Sequence, residues 1–445
     1  WQSVGGLRGV DGLYRVVEQL SGAPVPVSAL ESQILPARVV DYRPSMLDEL
    51  TTSGEVVWCG HHELPGGRGT ADAMVSLHLA ESAHLTLRPV ETDDAPLTEL
   101  QAAVLGLLEA AGGFFYPRLA SSLEHPGPDV LAALWELVWS GQVTNDTLGP
   151  LRGRLSGRRT PSRSAPAARP RPLSRRPRFS SLGATASSLR EAASDPSGGG
   201  RWSALPVRDV DTTRRAHALA TVLLDRHGVL TRAVTGAEQV TSEYRGVYKV
   251  LGALESAGQV RRGYFVEHLG GSQFALPGAV DQLRTAENDR LREAERTDPP
   301  TALCLAATDP AQPYGAALAW PASPGADEAG RSGHRPGRKA GAHVVMVRGE
   351  LALYLERGGR SLLTFSTDPV VLDAAARSLA RAVADGRLGK VTLRRVDGDE
   401  SMTVGGSSRT AGVAALVSAG FGPTPSGLRL SGLPAGRPSS GAARA

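Results

Sequence analysis

The spacing of apolar residues in this chain repeats three times, and each repeat runs from a helical pattern through a glycine into a strand pattern. Residues 47–56 read LDELTTSGEV, residues 134–143 read LWELVWSGQV and residues 251–260 read LGALESAGQV. Leucines three positions apart lie on one helix face, and a glycine ends a helix in a left-handed turn before the next residue opens a strand. This junction is typical of the third helix and first wing strand of a winged helix. Three copies favour a true repeat over a common helix–strand junction.

Apolar stripes ahead of each glycine predict further helices. The first copy also predicts a short helix over residues 28–35 and a third helix after Pro44. The third copy is the clearest, with a hairpin over residues 260–267 and 273–276, whereas the wing of the second copy is weakly marked. The predicted order in a module is therefore helix, helix, helix, strand, loop, strand. The main stripes are Leu13, Val16, Val17 and Leu20 in the first copy, Leu97, Leu100, Val104, Leu107 and Leu108 in the second, and Tyr244, Val247, Tyr248, Leu251 and Leu254 in the third.

The last third of the chain has a different pattern, with many short strand-like runs. One long helix is predicted there, from a capping Asp368 and a first-turn Pro369 to Gly386. Short strands with one main helix favour a small β-barrel-like module. The predicted fold class is therefore α+β, with tandem winged-helix modules followed by a small β-barrel-like module. The strand-like runs cover residues 302–307, 314–320, 344–347, 351–355, 361–365, 390–396 and 427–430.

A linker with many arginines separates the second and third modules. Residues 152–178 contain ten arginines and no acid, with proline and serine between them, and they show no periodicity. Such composition predicts disorder. The segment is either a solvated linker or a flexible arm that tracks phosphates in a salt-dependent way. The predicted boundaries are 1–92, 95–152 and 201–285 for the winged helices, 153–200 for the linker and 300–432 for the β-barrel-like module.

Composition restricts the class of protein. The 445 residues are 41% apolar, which is enough for several folded cores. The net charge is +4, and lysine occurs only as Lys249, Lys339 and Lys390. We attribute this preference for arginine first to genomic base composition. No apolar run is long enough to span a membrane, and Trp1 is neither an initiator methionine nor the start of a signal peptide. We therefore expect a cytoplasmic, nucleoid-associated protein of which this chain is a piece.

Cysteine and histidine usage argues against a disulfide or a metal site. Cys59 and Cys304 are far apart in the sequence, and two cysteines provide neither a disulfide framework nor a zinc-binding spacing. A reducing setting is therefore the default. His61 and His62 follow Cys59 closely, but adjacent side chains on a strand point to opposite faces. We predict neither a metal nor a cofactor.

Several short segments resemble the large helicase-related (Lhr) family in the region beyond its helicase core. The resemblance extends over nearly the whole chain. The segments are residues 34–39 (ILPARV), 54–58 (GEVVW), 137–141 (LVWSG), 144–148 (TNDTL), 200–203 (GRWS), 224–229 (LDRHGV), 261–267 (RRGYFVE), 420–421 (GF) and 427–428 (GL).

This resemblance implies a function in DNA repair. Family members are superfamily 2 helicases that move 3′ to 5′ along single-stranded DNA. Their C-terminal regions hold tandem winged helices and a β-barrel module, resemble a bacterial glycosylase family that unhooks crosslinks, and are implicated in oligomerisation. This chain departs from the family pattern because it contains no G-x-x-x-x-G-K-[ST] loop, so we expect no ATPase activity from it alone.

The third module offers the best candidate surface for DNA. Arg245 and Lys249 are four residues apart on its helix, opposite the apolar stripe. A recognition helix and a basic wing together bind duplex phosphates, with base contacts if the helix enters the groove. A solvated face on a structural module is the alternative interpretation. The candidate wing residues are Arg261, Arg262 and Tyr264, and Trp202, which follows the linker, is a candidate for stacking on single-stranded bases.

The sequence does not single out a catalytic residue. A glycosylase needs a buried acid beside an aromatic wall to bind a flipped base. Asp146, Glu243 and Glu267 are rival candidates, although residues 145–147 also fit a helix cap. We therefore consider three hypotheses. The first is the DNA-binding and oligomerisation region of an Lhr-type helicase, with DNA and a second copy of the chain as partners. The second is a glycosylase for damaged bases or uracil, and the third is a structural assembly platform.

Overall fold

The computed structural model describes residues 6–67, 70–90, 96–155, 195–294, 299–322, 335–400 and 411–430. This part of the chain is mixed α+β, as predicted. It divides into two compact units: Gly5–Val27 with Arg38–Val222, and Ser28–Ala37 with the residues from Leu223 onward. Most of the predicted arginine-rich linker, residues 156–194, lies outside the described residues. None of the helices in the described ranges is long and apolar enough to cross a membrane.

The first module follows the predicted helix pattern. Its elements are α1 (Gly9–Leu20), β1 (Val25–Pro26), α2 (Val27–Ala29), a π-helical turn (Leu30–Ile34), α3 (Leu35–Arg38), α4 (Pro44–Thr52), β2 (Val56–Gly67), β3 (Thr70–Leu79) and α5 (Ala83–Thr86). The predicted stripe of α1 is buried, because Leu13, Val16, Val17 and Leu20 are at most 3% exposed. Proline is favourable in the first helical turn, and α4 accordingly begins at Pro44.

The second module contains a strand that the sequence did not reveal. Its elements are α6 (Glu99–Ala111), β4 (Phe114–Phe115), α7 (Tyr116–Ser122), α8 (Gly127–Trp139), β5 (Val143–Asn145), α9 (Gly149–Leu155), a 3-10 turn (Pro196–Gly198) and β6 (Arg201–Ala204). β6 pairs with both β4 and β5, and Trp202 lies opposite Phe114 and Asn145. Residues 201–204 therefore complete the second sheet, although we expected them to open the third module. Both partner strands precede the linker, so no local pattern marked this pairing.

The third module has the order helix, strand, helix, helix, strand, strand, and it ends in a long helix. It consists of α10 (Thr212–His227), β7 (Val229–Leu230), α11 (Val234–Ala237), α12 (Tyr244–Ser256), β8 (Arg261–Gly263), β9 (Gln273–Ala275) and α13 (Pro277–Ala294). The three small sheets have the strand orders β1-β3-β2, β4-β6-β5 and β7-β9-β8, so the last strand is always central. The first strand of each sheet is only two residues long and follows the first helix. It was not predicted, because two residues show no periodicity.

The three repeated glycines occupy the same structural position. Gly54, Gly141 and Gly258 have φ angles of +81°, +71° and +72°, in the left-handed region that favours glycine. In each case the next residue donates its N–H to a carbonyl five residues earlier, which is the Schellman pattern of a helix end. These hydrogen bonds are Glu55 to Leu50 (3.1 Å), Gln142 to Leu137 (2.9 Å) and Gln259 to Leu254 (2.9 Å). The recognition helices α4, α8 and α12 therefore end alike.

The C-terminal module is built on an open sheet. Its elements are β10 (Ala302–Ala306), β11 (His343–Val347), β12 (Glu350–Leu355), β13 (Ser361–Thr364), α14 (Pro369–Ala384), β14 (Thr392–Leu393), β15 (Arg395–Val396), β16 (Asp399–Glu400), α15 (Ala411–Ser418), β17 (Phe421–Thr424) and β18 (Gly427–Leu430). The six-stranded sheet has the order β10-β11-β12-β13-β15-β16, and β14-β18-β17 form a smaller sheet. Leu372 and Leu379 of α14 share a core with Val345 and Leu353 of the large sheet. No closed barrel is found in the described residues, since β10 and β16 are edges and α14 covers one face, so the barrel-like prediction is not confirmed.

Candidate nucleic-acid interface

The face of α12 carries exposed cations beside an open cleft. Arg245 and Lys249 are exposed and lie one helical turn apart, as predicted. They line a cleft of about 450 Å³. A third cation, Arg232, belongs to the segment between β7 and α11 and lines the same cleft; it stands outside any periodic pattern, so sequence reasoning missed it. The remaining lining residues are Thr235, Thr241, Tyr244 and Tyr248.

The wing presents further polar groups to solvent. Arg261 and Arg262 lie on β8 and are exposed, and Tyr264 just beyond it is 85% exposed. Arg262 donates from Nε and Nη2 to the Ser272 hydroxyl at 3.0 and 2.7 Å, so its guanidinium also closes the hairpin. Five of the six predicted contact residues therefore lie in one module. Arg245 and Lys249 are on α12, Arg261 and Arg262 are on β8, and Tyr264 follows β8 directly. Trp202 is the exception.

One buried glutamine organises the loop of this wing. The Gln273 side-chain oxygen accepts N–H hydrogen bonds from Phe265 and Val266, each at 2.9 Å. Its side-chain nitrogen donates to the carbonyls of Val266 (2.9 Å) and Leu269 (3.3 Å). Gln273 is fully buried, so it satisfies loop backbone groups that a wing without regular structure would leave unpaired. In the sequence, Gln273 is marked only as a single polar residue in a strand that is otherwise apolar.

Side-chain contacts hold the third module together behind the exposed cations of α12. Tyr248 contacts Phe274 of β9 edge-on, with ring centroids 5.6 Å apart. Deeper in the module, Glu238 forms an ion pair with Arg226, and its Oε1 lies 2.6 Å from His227 Nε2. Burial alone would raise the pKa of Glu238, but Arg226 and His227 outweigh it and hold that pKa well below its usual range. These contacts therefore tie the end of α10 to the residue that follows α11.

The equivalent helix of the first module, α4, has an acidic side chain on its surface and is contacted by the segment around α9. Asp48 on α4 accepts two hydrogen bonds from the Arg152 guanidinium, at 2.7 and 3.1 Å, and one from the Leu148 N–H at 3.2 Å. Thr52 at the end of α4 donates its hydroxyl to the Asp146 carbonyl at 3.1 Å. A helix with carboxylates, occupied by the segment around α9, does not suit phosphate binding.

The equivalent helix of the second module is used for packing. On α8, Trp135 and Val138 are at most 2% exposed, and Trp135 stacks on Trp139 with ring centroids 5.4 Å apart. Thr144, just after this helix, donates its hydroxyl to the Trp58 carbonyl on β2 at 2.7 Å, and the Trp58 indole N–H donates back to the Asn145 carbonyl at 2.9 Å. The helix therefore faces the first module and is not free to enter a groove.

Trp202 has a packing role in this structure, and its position does not support base stacking. It is 0% exposed, and its indole N–H donates to the Gly198 carbonyl at 3.3 Å. Its ring meets Trp135 edge-on at 5.5 Å. The sequence placed Trp202 next to the arginine-rich linker and suggested exposure, but its strand β6 is central in the second sheet.

None of the three candidate carboxylates is fully buried in the described structure. Asp146 accepts the Arg201 N–H at 2.7 Å and so joins the ends of β5 and β6. Thr147 accepts the Gly149 N–H at the start of α9 at 3.3 Å, in line with the predicted cap. Glu267 has a side chain 94% exposed, and Glu243 immediately precedes α12. None of these three acids is buried beside an aromatic wall.

Neither thiol has the properties of a reactive group. Burial raises the pKa of Cys59 to about 11 and that of Cys304 to about 12, so both are protonated near neutral pH. His61, near Cys59, is held in a hydrogen-bond chain in which its Nε2 lies 2.9 Å from the Ser76 hydroxyl. Burial lowers the pKa of His61 well below its usual range. Among the residues that the structure describes, no group of three or more potential ligands could hold a metal.

Three copies of one helix–strand topology, each with a glycine-capped recognition helix, define a tandem winged-helix protein. Residues 1–80 and 209–295 match winged-helix domains described for the large helicase-related protein. The chain is 44% identical over 440 residues to "Lhr helicase/ probable uracil glycosylase" of Mycolicibacterium smegmatis, covering 97% of this chain and 27% of that protein. It is 37% identical over 394 residues to "Lhr helicase/uracil glycosylase" of Escherichia coli, covering 85% of this chain and 24% of that protein.

The chain belongs to the large helicase-related (Lhr) family and corresponds to its C-terminal region. It spans about a quarter of the length of the curated relatives that it matches. The two matched domains coincide with the first and third modules of the structure.

Proposed function

We propose that this chain is the DNA-binding region of a superfamily 2, ATP-dependent 3′–5′ DNA repair helicase, and that α12 and its wing make the principal contact. The observation that carries this proposal is the difference between three equivalent helices. In the described structure, α4 presents Asp48, which pairs with Arg152 of α9, and α8 packs on β2. In contrast, α12 leaves Arg245 and Lys249 exposed beside Arg232. Cations on an accessible recognition helix are what phosphate contacts require.

The proposed contact uses two kinds of residue. Arg232, Arg245 and Lys249 bind phosphates along the helix face, while Arg261 and Tyr264 on the wing reach the neighbouring strand or groove. Arg262 makes a smaller contribution to phosphate binding, because its guanidinium already donates a hydrogen bond to Ser272. We do not include Trp202. Through this surface the chain binds single-stranded or duplex DNA in the cytoplasm.

We also propose a domain organisation for the chain. The first module extends over 1–92 and the C-terminal module over 300–432. The second module extends through β6 to residue 204. The third begins after it and, because α13 ends at Ala294, extends beyond the predicted end at residue 285. Assembly of the chain into a homo-oligomer stays a prediction, which sedimentation of the chain at several concentrations tests directly.

The test is the salt dependence of DNA binding by the whole chain and by the double variant Arg245→Ala/Lys249→Ala. If both cations contact phosphates of duplex DNA, the slope of log K against log salt becomes shallower by about 1.8. The matched control is Arg15→Ala/Arg381→Ala, which removes two exposed arginines from α1 and α14. Equal affinity and slope for the α12 variant and the wild type would overturn the proposal.

A second candidate function is the removal of uracil from DNA. Both relatives carry uracil glycosylase in their names, at 44% and 37% identity. A base-excision assay of this chain on uracil-containing oligonucleotides, followed by alkaline cleavage, tests this activity. Strand breaks at uracil but not at thymine would support it. Intact strands at enzyme excess would leave DNA binding as the only proposed function.

A further inference from the structure

A second group of cations lies in the C-terminal module. Arg360, Lys390 and Arg394 line a groove of about 320 Å³. All three side chains are exposed, and in the described part of the chain none of them has a carboxylate partner. The other lining residues are Gly358, Thr392 and Ser426. The groove therefore offers three positive charges and two hydroxyl groups, with no acid and no aromatic ring on its wall.

Backbone hydrogen bonds bring these cations together. The Thr392 N–H donates to the Gly359 carbonyl at 3.2 Å, and the Arg394 N–H donates to the Arg360 carbonyl at 2.7 Å. The turn between β12 and β13 thus runs beside β14, and the cations on both segments share one surface. Because main-chain bonds set this arrangement, it does not depend on the rotamers of long side chains.

The turn itself leaves room for a ligand. Gly358 and Gly359 have φ angles of +84° and +67°, a conformation in which glycine is strongly favoured. A β-carbon at Gly358 would meet no other atom within 4 Å, so the space above it is open. The nearby acid Glu356 is paired with Lys339 at 3.0 Å, so its charge is balanced by a lysine that does not line the groove.

We propose that this groove binds a phosphodiester group of the DNA backbone, as a second contact in addition to α12; the inference rests on the proposed DNA-binding function. Guanidinium groups and hydroxyls are good donors to phosphate oxygens, and bare glycine backbone permits close approach. A wall without aromatic or apolar side chains provides nothing for a base to stack on. The contact therefore reads no sequence and adds a salt-sensitive part of the affinity.

The test is a comparison of three variants of the whole chain. Arg360→Gln/Arg394→Gln changes the groove, Arg245→Ala/Lys249→Ala changes α12, and Arg15→Gln/Arg381→Gln is the control for lost charge. We expect the groove variant to bind every DNA sequence several-fold more weakly and to show a slope of log K against log salt shallower by about 1 to 2. Unchanged affinity and slope would overturn the inference.

The outcomes separate the two proposals. If the α12 variant loses affinity and the groove variant does not, the groove inference fails while the proposed function stands. If the groove variant loses affinity and the α12 variant does not, the placement of the principal contact on α12 fails. Titration with inorganic phosphate distinguishes a small-anion site: groove-dependent phosphate binding without any change in DNA affinity would overturn the DNA assignment.

Discussion

Gly60 on β2 lies so close to Val138 on α8 that a β-carbon at position 60 would come within 2.7 Å of the Val138 carbonyl oxygen. The same atom would lie 2.9 Å from the Trp139 ring. Only glycine lets the strand of the first module approach the recognition helix of the second this closely. This contact explains why α8 is a packing helix, although its sequence repeat matches that of α12.

Gly60→Ala should therefore destabilise the unit that holds the first two modules. Relief of the clash requires β2 and α8 to separate, and overpacking of this kind costs about 1–3 kcal/mol. Urea unfolding followed by tryptophan fluorescence measures the change, since Trp58 and Trp135 are buried in this unit. Gly106→Ala on α6 is the control, because a β-carbon there meets nothing within 4 Å. Equal midpoints for Gly60→Ala and the wild type would contradict the packing argument.

Gly252→Ala on α12 should raise stability and weaken DNA binding. An added β-carbon at position 252 meets no atom within 4 Å, and alanine is favoured over glycine inside a helix by about 1 kcal/mol. Gly252 follows Lys249 by three positions and Arg245 by seven, so it lies on the proposed DNA face. A methyl group there hinders close approach of the DNA backbone.

Thermal unfolding and DNA titration of the same preparation test this pair of effects. Gly106→Ala again serves as the control and should gain stability without losing affinity. A Gly252→Ala variant that binds DNA as well as the wild type would show that α12 does not approach DNA along this face.

Gln273→Ala should loosen the wing and reduce DNA affinity while leaving the helices of the third module folded. The substitution removes four hydrogen bonds. It leaves the N–H groups of Phe265 and Val266 without their hydrogen-bond acceptor. Hydrogen exchange of the backbone amides at 264–269 should become faster, and DNA should bind several-fold more weakly. Gln259→Ala, an exposed glutamine just after the cap of α12, is the control. Unchanged exchange in the loop would show that Gln273 does not order it.

The helices and glycine turns could be predicted from the sequence because each has a local signal. Leu251 and Leu254 mark one helix face, and Gly258 marks its end, all within a few residues. The pairing of Trp202 with Asn145 could not be predicted, since its two partners are separated by the linker and a two-to-four-residue strand has no period. Arg232 and Gln273 were missed for a related reason: a side chain whose role depends on the fold around it leaves no pattern along the chain.

His343 should make the stability of the C-terminal module depend on pH. We expect the free energy of unfolding to fall as the pH falls below the pKa of a histidine in the unfolded chain. This residue on β11 is 8% exposed, and neither ring nitrogen has a hydrogen-bond partner among the described residues. Burial lowers the pKa of His343 to about 4. As the pH falls, the unfolded chain takes up a proton at this histidine first, near pH 6.5. The free energy of unfolding is therefore highest above pH 6.5, and the contribution of His343 is lost as the pH falls toward 4.

His343→Leu should remove this part of the pH dependence. A shift of this size corresponds to about 3 kcal/mol across the window, and the substitution also removes two buried nitrogens without partners. Urea unfolding at pH 7.5 and pH 4.5 should therefore show a smaller loss of stability for His343→Leu than for the wild type, with equal or greater stability at pH 7.5. His125→Leu, at an exposed histidine, is the control and should keep the wild-type difference between the two pH values. If His343→Leu loses as much stability on acidification as the wild type, His343 is not the titrating group.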